Sequence, residues 1–247
     1  ENFENIYTHF KEHKDILTTS KEKYGTPNKP FFYLHRERDE DFFIAGDKII
    51  AGSRVAKPSF YYTNAAFYGS RALNFIKTNR FNYKYLTGLL NSKLIAFWLK
   101  HQGKMLGDLY QINKEQIIQI PIAETGAEKQ KQIALMVDEL ITNIKTLKND
   151  LETALEAIKL NYGISNLSGK LDEFYKMGLN PFKDKLQNLG VNLDINKIEA
   201  LITWYKEKST HLLEIENKIT SLEAQIDNEV YKLYELDSED VKVIEKG

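Results

Sequence analysis

A chain of 247 residues, 42% hydrophobic and 12% aromatic, holds enough apolar side chains for one large core or two modest ones, and having no cysteine it excludes disulfides, thiolate metal sites and a cysteine nucleophile. No run reaches the roughly 18 apolar residues of a membrane span and no signal peptide opens the chain, so a cytoplasmic protein away from membranes is expected; the start at Glu1 rather than methionine suggests a piece of a longer polypeptide. The net charge of −1 hides a split: residues 1–122 hold 18 Lys and Arg against 12 Asp and Glu, a balance of +6, and residues 123–247 hold 16 against 23, a balance of −7.

Phe3, Ile6, Tyr7, Phe10 and Leu17 share one face at helical spacing, predicting an N-terminal helix that stops before "KYGTPNKP", Lys23 to Pro30. From Phe31 to Ile76 the texture changes. The short aromatic or β-branched runs "FFYLHRERDEDFF", "KIIAGSRV", "SFYYTNAAFY" and "LNFI" are punctuated by Gly, Asp, Asn and Pro, as in a compact sheet. Leu86, Leu89, Leu90, Leu94, Phe97 and Trp98 then predict one helix from Leu86 to Lys100, followed by the glycine-broken loop Gly103 to Gly107 and a strand-like "IIQIPI" that ends at Ile122.

The second half is helical. Ile133, Val137, Leu140, Ile144, Leu147, Leu151, Ala154 and Ile158 step alternately by four and three residues, which is a heptad seam, and Thr125 to Glu128 reads as its capping box. A second seam runs through Leu212, Ile215, Ile219, Leu222, Ile226 and, after a skip at Glu229, Leu233. The expected class is α+β. A compact mixed α/β domain at 1–122 is followed by a long helical, antiparallel coiled-coil-like domain at 123–247, with a small helical insertion at about 161–196.

Catalytic signals are weak. His9 and His13 stand four apart on the first helix, but no third zinc ligand is evident and the glutamate is not placed as in HExxH. Asp39, Glu40 and Asp41 could hold magnesium for a nuclease, yet their alternation with arginine reads more simply as a self-neutralising turn. With no GxGxxG, P-loop or nucleophile elbow, no catalytic residue, metal or cofactor is assigned, and a binding module is favoured. Arginine carries the stronger signal. All five copies, Arg36, Arg38, Arg54, Arg71 and Arg80, lie in one window of the basic half, and arginine's planar fork grips phosphate or the guanine edge at two points.

"PFFYLHRERDEDFFIAGDKIIAGSRVAKPSFYYTNAAFYGS" and "YLTGLLNSKLIAFWLKHQGKMLGDLYQINKEQIIQIPI" together resemble the C-terminal target recognition domain of adenine-specific DNA methyltransferases of the TaqI-like and type IIG restriction-modification class. "EKQKQIALMVDELI" resembles the start of the spacer helices of that class and of type I specificity subunits, and "IDNEVYKLYELDSEDVKVIE" resembles the terminal segment of type IIG enzymes. In that family the S-adenosylmethionine loop and an (Asn/Asp)-Pro-Pro-(Tyr/Phe) motif precede this region. Here only "KPSFYY" and "NPF" come near, so methyl transfer, cleavage and their cofactors, S-adenosylmethionine and Mg2+, are implied for a parent enzyme alone.

What the resemblance implies for this chain is sequence-specific reading of double-stranded DNA, beside a methyltransferase domain of the same prokaryotic polypeptide that receives a flipped adenine. Arg36, Arg38, Arg54 and Arg71 are the candidates for base or phosphate contacts, and Lys48, Lys57, Lys77 and Lys104 for fixing register on the backbone. Ser53, Ser59, Ser70, Tyr61 and Tyr62 could add hydrogen bonds, about half of them turned inward by strand alternation. The loop around Lys104 would approach DNA closely through its glycines. A coiled-coil scaffold and a specificity subunit acting in trans are the alternatives.

Overall fold

The structure, a computed structural model, describes residues 3–26, 28–33, 39–164, 167, 169 and 171–246. They fall into two compact units. One comprises residues 1–45 with 66–68, and the other residues 46–65 with 69–247.

In the first unit the expected single helix is two, α1 (Glu4–Glu12) and α2 (Lys14–Lys23), jointed at His13. Tyr7 packs edge-on to Phe32 with ring centroids 5.5 Å apart, and Lys21 is buried with its ammonium donating to the Tyr33 carbonyl. Of "FFYLHRERDEDFF", the described part forms turns and a 3-10 helix at Glu40–Phe42 rather than a strand; residues 34–38 lie outside the described residues. Asp39 caps that turn by accepting the Asp41 N–H.

The second unit begins with β1 (Lys48–Gly52), β2 (Arg54–Val55), β3 (Phe60–Thr63) and β4 (Leu73–Ile76), then α3 (Tyr83–Leu90), α4 (Lys93–Gln102), β5 (Lys104–Leu106), β6 (Leu109–Gln111) and α5 (Lys114–Ile117). Two antiparallel sheets result, ordered β3-β1-β4 and β2-β6-β5. Ile49, Ala51 and Phe60 share the inner face of the first sheet and form a core with Leu86, Leu90, Ile95, Leu99, Ile112 and Ile120, against which the second sheet lays Val55 and Tyr110. Ser53 joins the sheets through its backbone, donating to Ala72 and accepting from Ile112.

The helix expected from Leu86 to Lys100 is broken at Asn91-Ser92. Ser92 caps α4 by accepting the Ile95 N–H and donating to the Leu89 carbonyl. Asn91 acts as a surrogate peptide group for the edge strand β3, its amide accepting the Phe60 N–H at 2.9 Å and donating to the Phe60 carbonyl at 2.7 Å. Asn91→Ala removes both partners of that backbone, so unfolding free energy by urea titration should fall by about 1–3 kcal/mol. The strand expected at "IIQIPI" is likewise absent: Asn113 and Gln116 form a capping box that starts α5, and Ile120 folds back into the core.

The rest of this unit is α6 (Ala127–Tyr162), α7 (Leu179–Asn188), α8 (Ile195–Leu233) and α9 (Ser238–Lys246). At about 1.5 Å per residue, the 36 residues of α6 and 39 of α8 span about 54 and 58 Å, more than the roughly 40 Å of the counted seam. They run antiparallel, since Lys129 pairs with Glu229 at one end while Asp150 meets His211 at 2.7 Å further along. Near the sheets, Ile133, Val137, Ile226 and Val230 enclose Tyr85 and Leu89 of α3; Gly88 permits this approach, because a Cβ there would stand 2.8 Å from Val137. Leu233 packs against this core as the seam predicts, Val230 beside it is fully buried, and at the skipped position Glu229 binds Lys129 and Lys232. Gly126, without a side-chain bond, caps α6 in place of the expected Thr125 box.

At the far end the segment between the long helices forms a cap. A 3-10 turn at Phe174–Lys176 and α7 bury Phe174, Tyr175, Phe182 and Leu186 against Ala154, Ile158, Leu201 and Tyr205. The C-terminal α9 returns to α4, where Glu245 receives Lys93 at 2.6 Å and the Tyr231 hydroxyl at 3.0 Å.

Beside that contact Asp227 is buried and accepts the Lys93 backbone N–H. Burial raises its pKa, and the Lys93 bond only partly opposes this. A carboxyl raised in the folded state holds its proton after the unfolded chain has lost its own, so this group costs stability as pH climbs above about 4. Asp227→Asn should flatten that part of the stability profile, read by urea denaturation between pH 4 and 7. Among the described residues no helix is long and apolar enough to cross a membrane.

Candidate nucleic-acid interface

The β2-β6-β5 sheet presents one face to the core and one to solvent. In antiparallel register Arg54 stands opposite Gln111 and Lys104 opposite the same Gln111, so these three side chains form one cross-strand row on one face. The alternate row, Val55, Tyr110 and Met105, takes the other face, and Val55 and Tyr110 pack into the core. The Arg54 row is therefore outward, with Arg54 and Lys104 exposed and Gln111 half-buried. Two residues further along, the outward pair is Leu106 and Leu109, 51% and 39% exposed, with Gly107-Asp108 as a two-residue turn between them. Gly107 has φ +59°, a conformation that suits glycine at this hairpin position. Gly103, just before the hairpin, is required for a different reason: a Cβ would meet the Leu99 carbonyl at 2.3 Å.

Backbone bonds bring Arg71 toward this row, because Ala72 accepts the Ser53 N–H immediately before Arg54. Arg71 is exposed, and the Ser70 hydroxyl caps its turn by accepting the Ala72 N–H. Lys57 is exposed in the loop after β2, where the Ser59 hydroxyl donates to the Lys57 carbonyl. Arg54, Lys57, Arg71 and Lys104 form no ion pair among the described residues, whereas Arg80 is held by Glu124 at 2.5 Å. An arginine already paired at a surface has less to offer a phosphate.

The remaining candidates separate. Lys48 is 1% exposed at the start of the central strand β1, so it does not present its ammonium to solvent as a phosphate-contacting lysine must. Lys77 is exposed but follows the end of β4 opposite from Arg71. Tyr61 lies 55% exposed on the outer face of the first sheet, while Tyr62, one residue on, turns to the other face and donates to Asp47 at 2.8 Å. Burial and that carboxylate push the Tyr62 phenol up to about 12. Arg36 and Arg38 lie outside the described residues. Gln111 was not singled out from the sequence. An isolated glutamine carries no signal there, and strand register alone puts it between two cations. In the first unit, Glu12 adds a third donor to His9 and His13, the three exposed groups offering ligand atoms within 4.8 Å of one another.

Residues 3–122 match the family of TaqI-like C-terminal specificity domains, which supports a DNA-recognition specificity module of a restriction-modification enzyme in this part of the chain. Residues 126–230, which span α6 to most of α8, match a second family described as a domain of unknown function, DUF8810. No curated protein matches the chain.

Proposed function

We propose that this chain reads duplex DNA through the outward face of the β2-β6-β5 sheet, on behalf of an adenine-N6 methyltransferase whose catalytic domain lies outside this sequence. The observation that carries the reading is the row Arg54, Gln111 and Lys104, two free cations flanking an amide on one solvent face inside a specificity domain. Arginine donates twice to guanine O6 and N7, and glutamine pairs twice with adenine N6 and N7. Lys104, Lys57 and Arg71 would take phosphates and set register. The antiparallel α6 and α8 buttress the domain through α3, holding the face rigid.

The sequence has neither the glycine loop nor the (Asn/Asp)-Pro-Pro-(Tyr/Phe) motif, so S-adenosylmethionine and magnesium are assigned to the parent enzyme's other domains. The chain's own part is to position DNA while a target base is turned out.

The test is selection from a randomised duplex pool at two salt concentrations, with the retained fraction sequenced. A short enriched motif is the expected result. Salt-sensitive binding without enrichment would reduce the role to phosphate attraction. Absence of binding at low salt would favour a scaffold built on the long helices.

A further inference from the structure

The four-residue tip of the β5-β6 hairpin is the least expected part of the cationic face. Leu106 and Leu109 project outward in register beside Arg54, Gln111 and Lys104, and Asp108, exposed between them, places a negative charge at the point that reaches furthest along the ribbon. That carboxylate disfavours docking of the tip on a phosphate strand. A two-stranded ribbon fits the major groove, about 12 Å wide, and not a minor groove of about 6 Å, given strands about 4.8 Å apart with side chains beyond them. Inside the major groove, the apolar feature on a base edge is the C5-methyl of thymine.

We propose that Leu106 and Leu109 are specificity-determining residues that meet a thymine methyl in the major groove, giving the face an apolar reader beside its polar ones. This rests on the DNA-reading role above. The tight Gly107-Asp108 turn keeps the ribbon narrow enough to enter, and the core contacts of Val55 and Tyr110 fix which face points at the bases.

The experiment replaces each thymine of the selected duplex singly with deoxyuridine, which removes only the methyl group, and measures binding of the full chain by fluorescence anisotropy. Removing one buried methyl, worth about 0.8 kcal/mol, should weaken binding about fourfold at one or more positions. That loss should vanish in Leu106→Ala/Leu109→Ala and persist in Lys57→Ala. Both leucines are exposed, so the double variant should keep the parental circular dichroism; the single variant Leu106→Ala provides a second reading. A selected site without thymine, a site indifferent to every uracil, or a methyl effect unchanged in the double variant would each overturn the assignment while leaving DNA reading intact. Failure to bind any duplex would overturn both.

Discussion

Phe174→Ala is expected to lower the unfolding free energy by about 3–5 kcal/mol, the largest stability loss we anticipate from one truncation. Phe174 is fully buried, with ring centroids 5.3 Å from Phe182, 5.5 Å from a nearly parallel Trp204 and 6.2 Å from Tyr205. Removing it deletes the ring that these three share, and helices anchored on both flanks cannot collapse fully into the space. Trp204 is itself a reporter, so guanidinium titration followed by tryptophan fluorescence should show an earlier transition, while Leu160→Ala, 77% exposed, should move it by less than about 0.5 kcal/mol. A Phe174 effect under about 1 kcal/mol would mean that the cap is not a packed core. DNA affinity should be unchanged. The cap rests on Ala154 and Ile158, whereas α3 meets α6 at Ile133 and Val137, so some 25 Å or more of helix separates the cap from the DNA-facing part.

Periodicity made the long helices legible, because a heptad seam is a local pattern: Ile133, Val137, Ala154 and Ile158 are all buried. Even so, Ile144 at the middle of the same seam is 46% exposed, since burial depends on what the partner helix offers at that level. The split of the Leu86 helix was only partly legible, since Ser92, the N-cap of α4, is its one local signal. The pair of hydrogen bonds that Asn91 makes to Phe60, 31 residues away, holds the break against β3, and no window along the chain contains that information. "IIQIPI" misled for a related reason, as its alternation matches a strand while Asn113 and Gln116 supply a helix start just before it. At the candidate face, composition marked Arg54 and Arg71, which are exposed, and passed over Gln111, which lies opposite both Arg54 and Lys104. Lys48 erred in the other direction: charge alone marked it, and strand position buried it.

Arg54→Ala and Lys104→Ala are expected to weaken DNA binding in different ways, although the two side chains stand in one row across β6. Loss of a two-point arginine contact to guanine removes about 1–3 kcal/mol of discrimination, roughly 5- to 150-fold, and does so at one base pair. Sequencing after selection with Arg54→Ala should therefore show one position of the motif relaxed and the others kept. Arg54→Lys should not restore it, because an ammonium cannot reproduce the planar fork. Lys104→Ala removes a point charge directed at the backbone, so affinity should fall by a similar factor for every sequence, and the slope of log affinity against log salt should become shallower by about one. The proposed contrast rests on their places in the sheet: Lys104 and Arg54 sit on the opposite edge strands β5 and β2, so one edge can lie against a phosphate strand while the other faces the bases. Identical behaviour of the two variants, both relaxing a base or both changing only the salt slope, would place the whole row on the backbone or the whole row on the bases and would refute that division of labour.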